Sequence, residues 1–373
     1  MNPESVFCPN IDCPARGRRG AGNISIHSQK DERYYCDVCQ ETFAATKGTI
    51  FYRLKTDPMV VMLVITLLAY GCPIQAIVAA YAFDERTVKE WWRRAGAHCQ
   101  KVHEHIVGRS QLDLGQVQAD EIKVKTQGGT IWMALAMMVS TRLWLGGAIS
   151  VRRDKALIQQ LADQIRAVAL CRPLLLAVDG LASYVGAFQR AFRTKLPRQG
   201  QTGRTRLRPW PELAIVQVVK QRVAGQLSVE RRIAQGCADM IANLIRATQG
   251  HGGINTAYIE RLNATFRQRL SSLVRRTRAL ARQPETLQAG MYVLGCVYNF
   301  CTYHHSLRVP YYLSQYTRRW LQRTPAIAAG LTDHRWSIAE LFQFQVPPSP
   351  WTPPKQRGRP SKATLRLIEQ WCY

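Results

Sequence analysis

Acid is scarce in this sequence relative to base. Asp and Glu total 25 against 51 Lys and Arg over 373 residues, a formal net charge of +26, which is far more than solubility requires. Two further absences narrow the reading. No charged segment followed by a cleavable apolar core opens the chain, which argues against secretion. No unbroken apolar span is long enough to cross a bilayer either. Pro58 to Phe83 carries no charge, but Gly71-Cys72-Pro73 interrupts it at the middle, where proline ends helix hydrogen bonding. The 11 cysteines are odd in number, and Cys72, Cys99, Cys171, Cys237 and Cys296 stand singly in apolar segments. They read as reduced, buried thiols of a cytosolic protein rather than a disulfide framework.

What is present fits a polyanion-binding protein. Basic residues run through the whole chain instead of lining one amphipathic helix, so DNA, whose condensed counterions are released on binding, is a better partner than a membrane surface. With 46% apolar residues the chain can bury a sizeable core in two or three domains.

Four cysteines organise the N-terminus, Cys8-x4-Cys13 and Cys36-x2-Cys39. Two thiolate pairs on facing turns supply the tetrahedral soft ligands that Zn²⁺ takes in a zinc ribbon, predicted here over residues 1–55. His27 lies between the pairs and is a possible substitute ligand. Tyr34, Tyr35 and Phe43 are the expected apolar cap, and Arg16 to Arg19 a phosphate-facing loop. Residues 56–110 then read as short helices over Met59–Tyr70, Ile74–Tyr81 and Thr87–Ala97. Asp84 caps the last, with Trp91 or Trp92 packed inward. As a helix-turn-helix this segment would turn Arg86, Lys89 and Arg93 toward DNA; the alternative is a plain helical connector. His98, His103 and His105 read as capping or solvated.

From Gln116 the pattern becomes VQADEIKV, TIWMALAMMVS and RLWLGGAISV, three antiparallel strands. An amphipathic helix over Asp154–Val168 follows, then a strand buried on both faces over Pro173–Val178, a helix over Ala182–Phe192 and a strand over Glu212–Val219. That order predicts an α/β (α+β) chain with a ribonuclease H-like core over residues 111–340. Asp120 and Asp179 end apolar strands, and Glu260 opens an Arg-rich helix. Carboxylates brought together from strands and helix suit hard divalent cations and phosphate chemistry.

The Cys pairs, the helix triplet, the ADE and VDG strand ends and IERLNATFRQRL together resemble a bacterial insertion-sequence transposase of the DDE class, near the insertion-sequence-one type. The resemblance runs from Cys8 to about Glu340. It implies end cleavage and strand transfer with two Mg²⁺ or Mn²⁺ ions, Asp120 bridging them and Asp179 and Glu260 each holding one. Glu260, Asn263 and Arg267 share one helical face, and the resemblance implies that Asn263 and Arg267 meet the DNA end, with Tyr298, Asn299 and His304 or His305 near the site. It further implies a homodimer or larger assembly on paired transposon ends and target duplex, in the bacterial cytoplasm on the nucleoid, with no membrane. A regulator that binds DNA through the ribbon and helix-turn-helix without catalysis is the alternative.

Strand alternation sends Glu121 to the face opposite Asp120, so only Asp120 is expected in the site. Asp179 has a second reading as a helix cap. Residues 198–235 carry Arg198, Arg204, Arg206, Arg208, Arg222, Arg231 and Arg232. They read as an insertion that contacts DNA or is simply solvated. Residues 341–373 are a proline-rich basic tail. Its Arg357-Gly358-Arg359-Pro360 resembles an AT-hook, with Arg357 and Arg359 entering a minor groove, or belongs to a disordered segment.

Overall fold

The computed structural model describes residues 1–373 except 198–199, 201–203, 224–225, 275–282, 313–317, 354–357 and 373, and except the side chains of 222, 223 and 227. Arg198 and Arg357 therefore lie outside the described residues, as does the side chain of Arg222. The chain divides into two compact units, Met1–Val60 with Phe342–Tyr373, and Val61–Leu341.

In the first unit β1 (Ile24–Ser28), β2 (Arg33–Cys36) and β3 (Glu41–Ala44) form an antiparallel meander. Alternation along β2 buries Tyr34, whose ring stacks on Phe43 at 5.7 Å, and leaves Tyr35 half-exposed. So small a sheet cannot bury much apolar surface. Its core is Cys8, Cys13, Ala15, Tyr34, Cys36, Phe43 and Trp371. Trp371 comes from a C-terminal helix, Lys362–Trp371, which Ser361 caps by accepting from the Thr364 N–H. Arg18 lies 5.7 Å over the Trp371 ring. The end of the basic tail is thus an ordered helix in this unit's core, and Arg359 just before it is exposed.

The second unit begins with α1 (Pro58–Ala69), α2 (Ile74–Tyr81) and α3 (Glu85–Ile106). Gly71, at φ +93°, separates the first two, and among the described residues no helix is long and apolar enough to cross a membrane. Asp84 caps α3 as expected, accepting from Arg86 N at 2.8 Å and Thr87 N at 3.3 Å. The helix runs 22 residues, well past Ala97, because Val88, Trp92, Ala95, Cys99 and Val102 continue one buried stripe. Both Trp91 and Trp92 are buried, not one of them.

His98 and His103 are buried too, against the expectation of solvated caps. Their Nε2 atoms bond the carbonyls of Leu341 and Leu145 at 2.9 and 3.1 Å. Burial pushes His103 down to about 4. Cys171 and Cys237, read as buried, are exposed.

The main sheet follows. β4 (Gln116–Thr126), β5 (Gly129–Met138) and β6 (Trp144–Ser150) lead through α4 (Lys155–Val168) to β7 (Leu174–Asp179) and α5 (Ala182–Ala191). A short pair, β8 (Arg193–Lys195) with β9 (Leu207–Pro209), precedes β10 (Leu213–Val223), β11 (Gln226–Gln235), α6 (Ala238–Gln249), α7 (Ala257–Arg269) and α8 (Pro284–Cys296). The six strands lie in the order β11-β10-β7-β4-β5-β6. β4, β7 and β10 are parallel neighbours, and the other pairs are antiparallel.

β7 is apolar at every position before Asp179 because both faces are covered. Leu175 and Ala177 pack with Ile241 and Ile245 of α6, and the alternate residues Leu174, Leu176 and Val178 are equally buried. Leu213–Val223 and Gln226–Gln235 are two strands of this sheet, so most of the described part of the expected insertion is neither loop nor helix. α8 packs along α3 where Gly96 meets Ala289; a Cβ at Gly96 would fall 2.3 Å from that of Ala289.

Candidate functional site

In the first unit the chain brings Cys8, Cys13, Cys36 and Cys39 together, every sulfur within 4.8 Å of the others. Cys8 to Cys39 is 3.6 Å and Cys13 to Cys36 is 3.8 Å. A disulfide would need about 2 Å, whereas a tetrahedron with Zn–S near 2.3 Å has edges of about 3.8 Å. The group can therefore hold a metal such as zinc. Asn23 donates its side-chain N–H to Cys36 Sγ at 3.4 Å, the kind of outer contact that orients a thiolate ligand. Burial pushes the Cys13 thiol up to about 12 and Cys8 higher still. Without a cation Cys8 and Cys13 are protonated, so metal binding would displace their protons. His27 is exposed and outside the cluster.

The second site forms where β4 and β7 part. Their parallel ladder pairs Gln116 with Leu175, Val117 with Leu176 and Gln118 with Ala177. Two residues further on the same register sets Asp120 level with Asp179, on the face that carries α6 and α7. Asp120, Glu121 and Asp179 offer oxygens within 4.8 Å of one another, a group that can hold a metal.

Glu121 is thus a correction to the sequence reading. Alternation assigns it a face, but past Gln118 the β4–β7 ladder has ended. There Arg153 gathers both carboxylates, donating to Glu121 Oε2 at 2.9 Å and Asp179 Oδ2 at 2.7 Å. Asp179 also accepts from the Leu181 N–H at 2.9 Å, so one oxygen makes the turn into α5 while the other faces the cluster.

Glu260 stands outside this tight group. It is ion-paired with Lys220 of β10 and accepts from Thr256 Oγ1 at 2.7 Å. It remains close enough to act on Asp120, as do the other residues of its stripe. Asn263 donates to Asp120 Oδ2 at 2.8 Å, and burial pushes Asp120 up to about 6, with Asp179 and Glu260 adding to the rise and Arg267 opposing it. Burial and Asp179 likewise push Glu121 up to about 7, against Arg153. At Glu260 burial acts upward but Lys220 and Thr256 outweigh it, leaving the acid below its ordinary value.

Asp120 and Glu121, both held above their usual range, are carboxylates whose charge a divalent cation would relieve. Asn263 Oδ1 is buried with no hydrogen-bond partner, an oxygen of the type hard cations take.

Gln118 is the positioning residue that the sequence did not reveal. Fully buried on β4, it accepts from the N–H groups of Tyr258 and Ile259, both at 3.0 Å, and donates to Asn255 O at 2.8 Å. It caps the first turn of α7 and so fixes where Glu260 and Asn263 stand. Its only sequence signal is its place two residues before Asp120. Asn299, expected near the acids, is instead fully buried and clamps β6, bonding Trp144 N at 2.9 Å and Trp144 O at 2.8 Å. Tyr298, His304 and His305 line a cavity beside α7.

Arg86, Lys89 and Arg93 are exposed on one stripe of α3. Lys89 pairs with Glu85 at 2.5 Å and Arg93 with Glu90 at 2.7 Å. Such surface pairs are weak enough to exchange for phosphate.

No protein-family model matches the chain, and no curated protein does.

Proposed function

We propose that the chain is a metal-dependent enzyme of phosphoryl transfer on nucleic acid, built on a ribonuclease H-like core. Within that class the reading is a DNA transposase of the DDE type. The observation that carries it is the level placement of Asp120 and Asp179 on adjacent parallel strands, with Asn263 of α7 bonded to Asp120 and Glu260 of the same helix near enough to act on it. The central strand order β10-β7-β4-β5-β6, with the first three of these parallel, supports the fold assignment.

When bound, Mg²⁺ or Mn²⁺ supplies the charge that activates a water or 3′-hydroxyl and steadies the leaving oxygen in an in-line displacement. Asp120, Asp179 and Glu260 would hold two such ions. Asn263 orients Asp120, Gln118 seats the helix, and Glu260 would give up Lys220 to take a cation. Arg267 would meet a phosphate of the DNA end. Zn²⁺ on Cys8, Cys13, Cys36 and Cys39 would hold the ribbon. Arg86, Lys89, Arg93 and Arg359 add duplex contacts, and pairing two ends calls for at least a dimer.

The test is strand transfer by the full chain on DNA carrying its gene's own flanks, with Mg²⁺ or Mn²⁺. Wild type is compared with Asp120→Asn, Glu260→Gln and Glu121→Gln. Asp120→Asn and Glu260→Gln should cost roughly 10³-fold, the several kcal/mol of charge stabilisation that a metal supplies. Full joining by Glu260→Gln with loss in Glu121→Gln would move the third ligand to Glu121. Tight DNA binding with no joining by wild type would make the chain a non-catalytic regulator.

A further inference from the structure

α7 presents two stripes. Glu260, Asn263 and Arg267 form the stripe toward Asp120, while Tyr258, Arg261, Thr265 and Gln268 lie about 150° around the helix and line a cavity of ≈ 560 Å³. The walls include Arg142, Arg261, Arg269, His304 and His305, with no Asp or Glu among them. Arg153 and Lys220 each meet a carboxylate, whereas the residues lining this cavity offer Arg142, Arg261 and Arg269 none. Arg269 Nη1 is buried with no hydrogen-bond partner, its guanidinium 4.7 Å from the Tyr70 ring. The Arg142 guanidinium lies 3.9 Å over the Tyr258 ring. Burial, with Arg142 and Arg261, pushes His304 down to about 4, so it adds a neutral ring. Tyr298 meets that ring edge-on at 6.1 Å, and Tyr303, 45% exposed, is a further aromatic wall.

Guanidiniums without counter-charge call for an anion with several acceptor oxygens, and aromatic walls call for a flat ring. The volume falls in the range of small-molecule sites and is far too small for a double helix. We propose that this cavity takes one unpaired nucleotide of a DNA strand, its phosphate on Arg142, Arg261 and Arg269 and its base against the tyrosines. Assigning the nucleotide to a strand rests on the DNA-enzyme reading above, because the other stripe of the same helix would place the adjoining phosphodiester at the carboxylates. The cavity thus selects ends whose terminal pairs have opened.

The experiment is fluorescence anisotropy of the full chain, with no Mg²⁺ or Mn²⁺ added so that nothing is cut, with a blunt duplex and with the same duplex ending in three unpaired nucleotides. A 2-aminopurine at the first unpaired position reports stacking. Wild type should prefer the open end by about tenfold, the worth of stacking one base, and should quench the 2-aminopurine. The double variant Arg261→Gln/Tyr303→Ser changes two exposed side chains. It should lose both the preference and the quenching while holding the blunt duplex as wild type does. Equal binding of the two duplexes by wild type, or equal loss of both in the variant, would overturn the proposal. Displacement of the open-ended duplex by micromolar free dAMP would overturn the strand assignment in favour of a soluble nucleotide. Because joining is not read, a protein that never transfers a strand can still pass, and an active transposase can still fail.

Discussion

The thiol cluster and the acidic cluster differ in what already sits on them. The sulfurs partner one another and the Asn23 amide, so among the described residues nothing cationic competes for them. The carboxylates are different, since Arg153 spans Glu121 and Asp179 and Lys220 holds Glu260. A closed set of soft ligands around a small core is a structural site whose ion contributes to folding directly. An acidic set held by side-chain cations can release them, which is what a site that must admit ions and phosphate together requires. The first cluster dedicates its ligands to one ion; the second keeps them exchangeable.

The largest effect that would sharpen this contrast is loss of the thiol metal. Stripping with 1,10-phenanthroline, or Cys36→Ser, should remove one zinc per chain and on the order of 10 kcal/mol of binding energy that the small core cannot replace. Residues 1–60 should then become trypsin-sensitive while the 61–341 unit resists. Protease resistance of the first unit in a zinc-free sample would break the comparison.

Next in size is Asp120→Asn, read as stability without added Mg²⁺ or Mn²⁺. Asp120 titrates near 6 in the folded chain and near 3.9 when unfolded. The native state therefore holds a proton that the unfolded state has already lost between those values, and this contribution to stability disappears as pH rises through 6. Removing the charge should raise stability at pH 7.5 by about 2 kcal/mol, a few degrees in Tm, and the gain should vanish near pH 4. Strand transfer should be abolished in the same variant, the trade expected where function holds like charges together. A Tm at pH 7.5 equal to or below wild type would contradict the crowding inferred at this site.

Both clusters are foreshadowed in sequence, to different depths. The thiols are legible because each pair closes a turn within a few residues, and spacing alone brings the sulfurs together. Asp120 and Asp179 are legible as acids ending apolar strands. Gln118 is not, since nothing local says that a strand glutamine will cap a helix 140 residues on. Glu121 is misplaced by alternation, which gives the face of a side chain but not where strand pairing stops. The inward run of α3, which buries His98, His103 and both tryptophans, depends on α8, nearly 200 residues away. Periodicity within the helix cannot show which of its faces will be covered.

The smallest effect concerns Arg153 itself. Its guanidinium bonds Glu121 and Asp179 and lies 5.0 Å from the Trp132 ring, so it is held rather than waving in solvent. Arg153→Gln leaves the acids without that cation and should lower Tm in the absence of added divalent ions by the equivalent of about 1 kcal/mol, since the pair is partly exposed. A divalent ion would no longer compete with an internal one. The Mg²⁺ concentration that half-restores Tm should therefore fall by about fivefold relative to wild type. The same substitution on an exposed pair remote from the acids, Arg232→Gln beside Glu230, should shift neither quantity. If Arg153→Gln raised the Mg²⁺ requirement instead, Arg153 would be orienting the carboxylates for the ion, and the acidic cluster would be dedicated to its metal in the same way as the thiols.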